Sequence, residues 1–162
     1  MINVYLLLGS NLGNRQAYLQ QAVVKIENDA GHVVQQSGVY ETQSWGKTNL
    51  PAYLNQVILI ETELPAQQLL NKLLQIELLL GRTREEKWGS RTVDIDILFY
   101  GNEIINLPQL TIPHPELHNR RFTLEPLAEI APELVHPILQ LTVKTLLFGV
   151  KDKLQVKKYI FE

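Results

Sequence analysis

The sequence predicts a single α+β domain in which a ferredoxin-like antiparallel sheet carries helices packed mainly on one of its faces. Segments with the period-two pattern of strands alternate with segments that have the apolar periodicity of helices. The connecting turns are short, and the Gly-Asn pair at positions 101–102 joins two strands that follow each other directly. A chain of 162 residues is long enough for one domain with a sizeable core, so residues 1–162 are expected to form one unit.

The predicted elements follow one another in a regular order. The first strand stops at a Gly-Ser-Asn turn, and a helix of about fourteen residues with one apolar face comes next. Two strands follow, and a second helix begins at Pro65, whose ring suits a first helical turn. In sequence order the strands are expected at 4–8, 33–40, 54–62, 91–100, 103–106 and near 154–156, and the later helices at 65–80, 124–130 and 142–148.

The strand that ends at Gly101 carries the clearest chemical signal in the chain. Side chains alternate between the two faces of a strand, so one face is wholly apolar and consists of Val93, Ile95, Ile97 and Phe99. Asp94 and Asp96 fall together on the other face, with Cα atoms about 6.6 Å apart over two strand steps. Two carboxylates held so close repel each other unless cations intervene, and hard oxygen ligands suit a pair of magnesium ions. Two solvated surface acids are the alternative, although aspartate is a poor strand former and its presence here favours a site.

A basic segment precedes this strand. Residues 82–91 contain four of the fifteen basic residues of the chain, together with Trp88. Such a segment is often only a solvated charged surface. Its position between a helix and the two aspartates instead favours arginines that bind a polyphosphate, and glycines near its ends would allow it to move as a lid.

Further candidate residues lie in four places. Residues 41–51 are polar, contain Gly and Pro, and are typical of a binding loop. Tyr53 and Asn55 share one face of the next strand, although Asn55 could equally be a turn residue at the strand start. Glu77 lies near a helix C-terminus, where its charge opposes the helix dipole and calls for a partner. His114 is held between two prolines, which fix an extended backbone there.

Composition excludes several classes of function. A net charge of −2 argues against broad electrostatic binding of nucleic acid. The chain has no cysteine, which excludes disulfides, thiolate metal sites and a cysteine nucleophile. The apolar run at the N-terminus is too short for a signal peptide or a membrane span, so a cytoplasmic protein is expected.

Several pieces of the chain together form a recognisable set of motifs, and the run from Gly81 to Leu98 is the most specific of them. The pieces are 9–13, 40–42, 53–55, Glu77, Gly81, Arg82, Arg84, 88–98, 113–115 and 120–122. With these pieces the chain resembles the 6-hydroxymethyl-7,8-dihydropterin pyrophosphokinase family, an enzyme family of the folate pathway, over residues 4 to about 137.

The resemblance implies that ATP donates its β,γ-diphosphate to the hydroxymethyl group of the pterin and that AMP is released. It implies two magnesium ions held by Asp94 and Asp96, a monomer, and no nucleic-acid or membrane partner. The implied catalytic residues are Arg82, Arg91, Asp94 and Asp96. The implied ATP-binding residues are Glu77, Arg84, Trp88, Ile97, Thr111, His114 and Arg120. The implied pterin-binding residues are Thr42, Gln43, Trp45, Tyr53, Asn55 and Phe122.

Two other functions stay open on the residues alone. A two-metal nucleotidyltransferase also uses an Asp-x-Asp strand on a ferredoxin-like sheet, but it should have a third carboxylate and a basic nucleic-acid track, against which the net charge argues. A non-catalytic ligand-binding domain of the same shape has no reason to gather two aspartates and four basic residues around one opening.

Overall fold

A computed structural model describes residues 1–42, 52–81 and 92–160. Most of the predicted elements are confirmed, while the predicted strand at 33–40 divides into two short strands. The strands are β1 (Ile2–Ser10), β2 (His32–Gln36), β3 (Tyr40–Thr42), β4 (Tyr53–Thr62), β5 (Asp94–Tyr100), β6 (Ile105–Leu107), β7 (Leu110–Ile112) and β8 (Val156–Lys158). The helices are α1 (Arg15–Asp29), α2 (Ala66–Leu79), α3 (Arg121–Ile130) and α4 (Val143–Gly149), with a short 3-10 helix at Leu117–Asn119.

The main sheet has the strand order β5-β1-β4-β3-β8, and β2 pairs with β4 beside β3. All of these pairings are antiparallel. The order of β1, α1, β2 with β3, β4, α2 and β5 is that of a ferredoxin-like unit, with β1 and β4 at its centre. The predicted fold class is confirmed.

The distribution of the helices differs from the expectation that they lie mainly on one face. Helices α1 and α2 cover one face with Leu19, Ala22, Ile26, Leu69, Leu73 and Ile76. Helices α3 and α4 cover the opposite face, where Leu124, Leu127, Val143 and Leu146 pack on Leu7, Val57, Leu98 and Phe99. The reason is that the second face of the central strands is also apolar along most of its length, so it too must be removed from water.

A bulge in β5 explains a second difference. Tyr5 pairs with Phe99 and Leu6 pairs with Ile97, so Leu98 is an extra residue in β5. Such a bulge shifts the alternation of side chains by one residue. Phe99 therefore packs with Leu98 in the core beneath α3 and α4, and its predicted place beside Val93, Ile95 and Ile97 is wrong. The aspartates precede the bulge and keep their shared face.

Side chains cap the N-termini of α1 and α4. The side chain of Asn14 accepts a hydrogen bond from the N–H of Ala17 at the start of α1, and Thr142 does the same for Thr145 at the start of α4. Each cap satisfies one of the N–H groups that a helix start leaves without a partner.

Among the described residues, no helix is both long and apolar enough to cross a membrane.

His136 is a buried polar group in the core beneath α3 and α4. Only 4% of its surface is exposed, and its ring lies edge-on to Phe99 at 5.7 Å between centroids. Its Nδ1 accepts hydrogen bonds from the N–H groups of Ile138 at 3.2 Å and Leu139 at 3.1 Å. Burial lowers the pKa of His136, and the nearby His118 lowers it further. The imidazole is therefore held in its neutral form.

We predict that His136 makes the folded protein sensitive to acid. The folded-state pKa lies below the unfolded value of about 6.5, so the unfolded chain binds more protons in this range. The stability contributed by neutral His136 is complete above that value and is lost as the pH falls towards the folded-state pKa. In the variant His136→Asn, the amide oxygen can accept the same two hydrogen bonds but cannot be protonated. Urea unfolding at several pH values between 8 and 5 should show a smaller loss of unfolding free energy in His136→Asn than in the wild type. An unchanged pH dependence would show that other groups govern the acid sensitivity.

Candidate active site

Four neighbouring strands bring polar residues into one row at one end of the sheet. Gly9 of β1 pairs with Asp94 of β5 on one side and with Asn55 of β4 on the other. Asn55 in turn pairs with Tyr40 of β3. Residues that pair directly in an antiparallel sheet project to the same face, and strands lie about 4.8 Å apart, so Asp94 and Asn55 are about 10 Å apart. A carboxylate and a carboxamide thus flank a glycine on one surface.

Asp96 lies one row deeper on the same face, where Leu7 pairs with it and also with Val57. Leu7 and Val57 belong to the core beneath α3 and α4. The two aspartates are half-exposed, so Asp96 lies where the open end of the sheet meets the covered part.

His114 approaches this strand from the segment that follows β7. Its N–H donates to the carbonyl of the bulged residue Leu98 at 3.0 Å, which fixes its backbone against β5. Burial lowers the pKa of His114, while Asp96 and Glu116 oppose the shift and Arg120 adds to it. Its Nδ1 accepts a hydrogen bond from the N–H of Glu116 at 3.1 Å, so the neutral ring carries its proton on Nε2. His114 therefore offers a neutral N–H donor beside a carboxylate.

A cleft of about 250 Å³ opens beside Asp96 and His114. Most of its lining side chains are apolar and come from α2, β5 and the β7 segment. The lining contains Asp96 and three of the residues expected to bind ATP, which are Ile97, Thr111 and His114. The lining residues are Leu70, Ile95, Asp96, Ile97, Pro108, Gln109, Leu110, Thr111, His114 and Pro115. A slot that combines apolar side chains with polar groups suits a flat ring that also makes polar contacts at its edge.

Glu77 lies behind the aspartate strand, and it is absent from the described lining of the cleft. It is 3% exposed, and its Oε2 accepts a hydrogen bond from the N–H of Ile95 at 2.7 Å. Among the described strands β5 is the edge strand on that side of the sheet, so none of them can accept a hydrogen bond from this N–H. Glu77 thus has the partner that its helix position called for, and it holds the backbone between the two aspartates.

Arg120 and Phe122 lie together at the start of α3. The guanidinium carbon of Arg120 is 5.6 Å from the centroid of the Phe122 ring. Between them, Arg121 donates from its backbone N–H to the carboxylate of Asp152 and from its side chain to the backbone carbonyl of Asp152, both at 3.1 Å. The C-terminal segment therefore fixes the part of α3 that carries a cation and an aromatic ring.

Several buried polar atoms at this end of the sheet have no partner among the described residues. Asn55 is 5% exposed, and its Oδ1 accepts no hydrogen bond from the described part of the chain. The hydroxyl groups of Ser10, Thr42 and Thr92 are also buried and have no hydrogen-bond partner among the described residues. Thr42 also pairs with Tyr53, which brings these two expected pterin residues side by side. Buried polar groups need partners, and a polar ligand can supply them.

Arg15 is a residue that the sequence analysis missed. Its Nη1 donates to Glu41 Oε2 at 2.9 Å and to the carbonyl of Ala52 at 2.7 Å. Glu41 and Ala52 flank residues 43–51 in the sequence, so one guanidinium ties the two sides of that segment together. An isolated arginine on a helix gives no sequence signal for such a contact.

Six expected site residues lie outside the described part of the chain. They are Gln43, Trp45, Arg82, Arg84, Trp88 and Arg91.

The aspartates fit magnesium in the chemistry of their donors. Across residues 1–42, 52–81 and 92–160, no group of three or more His, Cys, Asp or Glu side chains could enclose a metal ion. Magnesium does not need such an enclosure, because it commonly binds through one or two carboxylates and completes its shell with water and substrate phosphate. Asp94 and Asp96 on one strand face provide that donor set.

Comparison with solved structures supports the fold. The wild-type HPPK-DHPS of Plasmodium falciparum superposes with a TM-score of 0.74 over 91% of this chain at 18% identity. The chain spans 44% of the length of that solved chain. At this identity the likeness concerns the fold alone.

Sequence comparison identifies the family. A protein of Haemophilus influenzae named 2-amino-4-hydroxy-6-hydroxymethyldihydropteridine pyrophosphokinase is 46% identical over 87% of this chain and 89% of its own length. A Bacillus subtilis protein of the same name is 44% identical over 80% of this chain and 78% of its own length. The model of the 7,8-dihydro-6-hydroxymethylpterin-pyrophosphokinase family matches residues 5–132. The chain, whose aspartate strand and cleft lie within that match, therefore belongs to the 7,8-dihydro-6-hydroxymethylpterin-pyrophosphokinase family.

Proposed function

We propose that the row of Asp94, Gly9 and Asn55, with the adjoining cleft, is where this pyrophosphokinase transfers the β,γ-diphosphate of ATP to the hydroxymethyl group of 6-hydroxymethyl-7,8-dihydropterin. AMP is the second product, and the step belongs to folate biosynthesis. The observation that carries the proposal is the register of β1. It holds a carboxylate and a buried carboxamide about 10 Å apart on one face, which suits a phosphate chain at one end and a heterocycle at the other.

In this proposal the nucleotide base enters the cleft. Leu70, Ile97 and Leu110 supply apolar contact, and the backbone near Thr111 offers polar groups to the ring edge. The phosphate chain then runs past His114 towards the aspartates. The neutral Nε2–H of His114 donates to a phosphate oxygen, and Arg120 adds a positive charge at the start of α3.

The pterin lies over the other half of the row. The carboxamide of Asn55 has a free acceptor among the described residues and can pair with the amide edge of the ring. Tyr53 and Phe122 stack on its two faces, and Thr42 borders its edge. This arrangement directs the hydroxymethyl group, which is on the opposite ring, towards Asp94.

Two magnesium ions bound by Asp94 and Asp96 would neutralise charge on the diphosphate during transfer. Glu77 fixes the backbone of β5 through Ile95, so that both carboxylates stay in register with each other. Arg82, Arg84, Trp88 and Arg91 complete the triphosphate site in this proposal, with Gln43 and Trp45 beside the pterin. Their positions lie outside the described residues and stay predictions.

The enzyme is further proposed to act as a monomer in the cytoplasm, without nucleic acid or membrane as a partner. Its two substrates are small and water-soluble, and the net charge of −2 gives no general attraction for nucleic acid.

The direct test is the identity of the nucleotide product. The purified chain, incubated with ATP, magnesium and the hydroxymethyl dihydropterin, should form AMP and pterin diphosphate in equal amounts. The matched 6-methyl dihydropterin, which lacks the accepting oxygen, should give no AMP. Formation of ADP instead would mean transfer of one phosphoryl group and would contradict the proposal.

We predict that Asp94→Asn or Asp96→Asn lowers turnover by at least about 10³-fold, because each change removes a charge that holds metal in the transition state, worth about 4 kcal/mol or more. Steady-state AMP formation at several magnesium concentrations measures the effect. The unfolding midpoint in urea should stay close to wild type, since both carboxylates are half-exposed. Full activity of either variant at ordinary magnesium would remove these residues from the metal site.

We predict that Asn55→Ala weakens pterin binding by about 10-fold or more and leaves nucleotide binding within about threefold. Loss of a hydrogen-bonding partner in a buried polar site costs about 1–3 kcal/mol. Calorimetry with each ligand separately distinguishes the two effects. An equal loss for both ligands would mean that Asn55 only supports the strand.

We predict that Glu77→Leu lowers both the free energy of unfolding and kcat, because the buried N–H of Ile95 loses its acceptor, at a cost of about 1–3 kcal/mol. The matched variant Glu77→Gln keeps an acceptor oxygen and should retain more of both quantities. Urea unfolding and AMP formation report on the two properties. Equal behaviour of the two variants would show that the hydrogen bond to Ile95 is not what matters at this position.

A further inference from the structure

Gly9 occupies the middle of the proposed site without having a side chain to place there. It pairs with Asp94 on one side and with Asn55 on the other. Gly9 therefore lies between the proposed metal site and the residue proposed to bind the amide edge of the pterin. A Cβ atom built at Gly9 would lie 2.9 Å from Nδ2 of Asn55 and 3.8 Å from Cδ1 of Tyr53. The first distance is shorter than a carbon and an amide nitrogen tolerate.

The backbone does not explain this glycine. The glycines with positive φ are Gly13, Gly81 and Gly101 among the described residues, and Gly9 is not one of them. It lies inside a regular strand, in ladders with two neighbours, where glycine costs about 0.5–1 kcal/mol relative to alanine. A glycine inside a strand often marks a place that another group approaches closely. At Gly9 that group is the Asn55 carboxamide.

We infer that Gly9 is a positioning and specificity-determining residue for the pterin: its missing side chain gives the Asn55 carboxamide its place beside the heterocycle. The inference rests on the proposed function and extends it to a residue that contacts neither phosphate nor metal. Any side chain at position 9 displaces the Asn55 carboxamide, which is proposed to form hydrogen bonds with the amide edge of the pterin.

The effect should be confined to the pterin. The described residues that line the nucleotide cleft come from α2, β5 and the segment around β7, and none comes from β1 or β4. The Cβ contacts of Gly9 likewise fall on Asn55 and Tyr53 and the backbone of Leu54, all in β4. A methyl group at position 9 therefore disturbs one ligand and not the other.

The test is a double-mutant cycle with a matched glycine control. The variants are Gly9→Ala, Asn55→Ala, the double variant, and Gly149→Ala, where a Cβ would have no atom within 4 Å. Wild-type enzyme is first checked for AMP formation from ATP and the hydroxymethyl dihydropterin. Calorimetry then gives the dissociation constants of a non-hydrolysable ATP analogue and of the pterin in the presence of that analogue.

Gly9→Ala should weaken pterin binding by about 10-fold or more while the nucleotide constant changes by less than about threefold, and Gly149→Ala should match wild type for both. In the Asn55→Ala background, the Gly9→Ala change should cost less than about threefold, because the carboxamide it displaces is already gone. The same cost in both backgrounds, or unchanged pterin binding by Gly9→Ala, would overturn the inference.

The folded state of each variant is followed by urea unfolding. If Gly9→Ala does not fold, the double variant decides: recovery of a folded protein with the binding constants of Asn55→Ala supports a steric conflict with Asn55, and failure to fold overturns it. Absence of AMP formation by the wild type would contradict the proposed function, whereas normal wild-type activity with normal pterin binding by Gly9→Ala would contradict only the role of Gly9.

Discussion

The antiparallel pairing of β1 with β4 and β5 is the constraint on which the rest of the molecule depends. The register of β1 with β4 is continuous from Ile2 opposite Thr62 to Ser10 opposite Leu54. A slip of one residue would exchange the two faces of a strand, which would turn Asp94 or Asn55 towards the core beneath α1 and α2 and turn their apolar neighbours away from it. The buried residues of β1, such as Leu6 and Leu8, make that slip costly. The spacing of the site is thus fixed by the same burial that stabilises the fold.

The two ends of β5 lie in different surroundings. At its start it presents carboxylates to the open end of the sheet, and at its end it presents Leu98 and Phe99 to the layer formed by α3 and α4. The bulge adds Phe99 to the face that Leu98 already occupies, and an edge strand tolerates it because only one ladder is interrupted. The carbonyl of the bulged residue also anchors His114, so the irregular part of the strand supports the cleft.

Local patterns in the sequence predicted the individual elements, whereas contacts between residues that are distant in the sequence could not be predicted from them. Alternation and helical periodicity predicted most elements, the ferredoxin-like sheet and the shared face of Asp94 and Asp96. The second helical layer was not predicted, although the continuous apolar runs at residues 6–8 and 57–60 are typical of strands that are buried on both faces. The bulge at Leu98 escaped because every residue from Ile95 to Tyr100 is compatible with a strand in either phase, apart from Asp96. The partners of Glu77 and Arg15 and the row through Gly9 depend on register, which no local pattern records. The arginines of residues 82–91 and the aromatic at Trp45 stay predictions.

The contact of Arg15 with both Glu41 and Ala52 has a consequence for insertions into this chain. One guanidinium contacts residues on both sides of positions 43–51, and Thr42 pairs with Tyr53, so the scaffold holds the residues that flank that segment. The entropic cost of a longer insert grows slowly, by about 0.6 kcal/mol for each doubling of length. Insertions between positions 43 and 51 of this chain should therefore cost the sheet little free energy of folding.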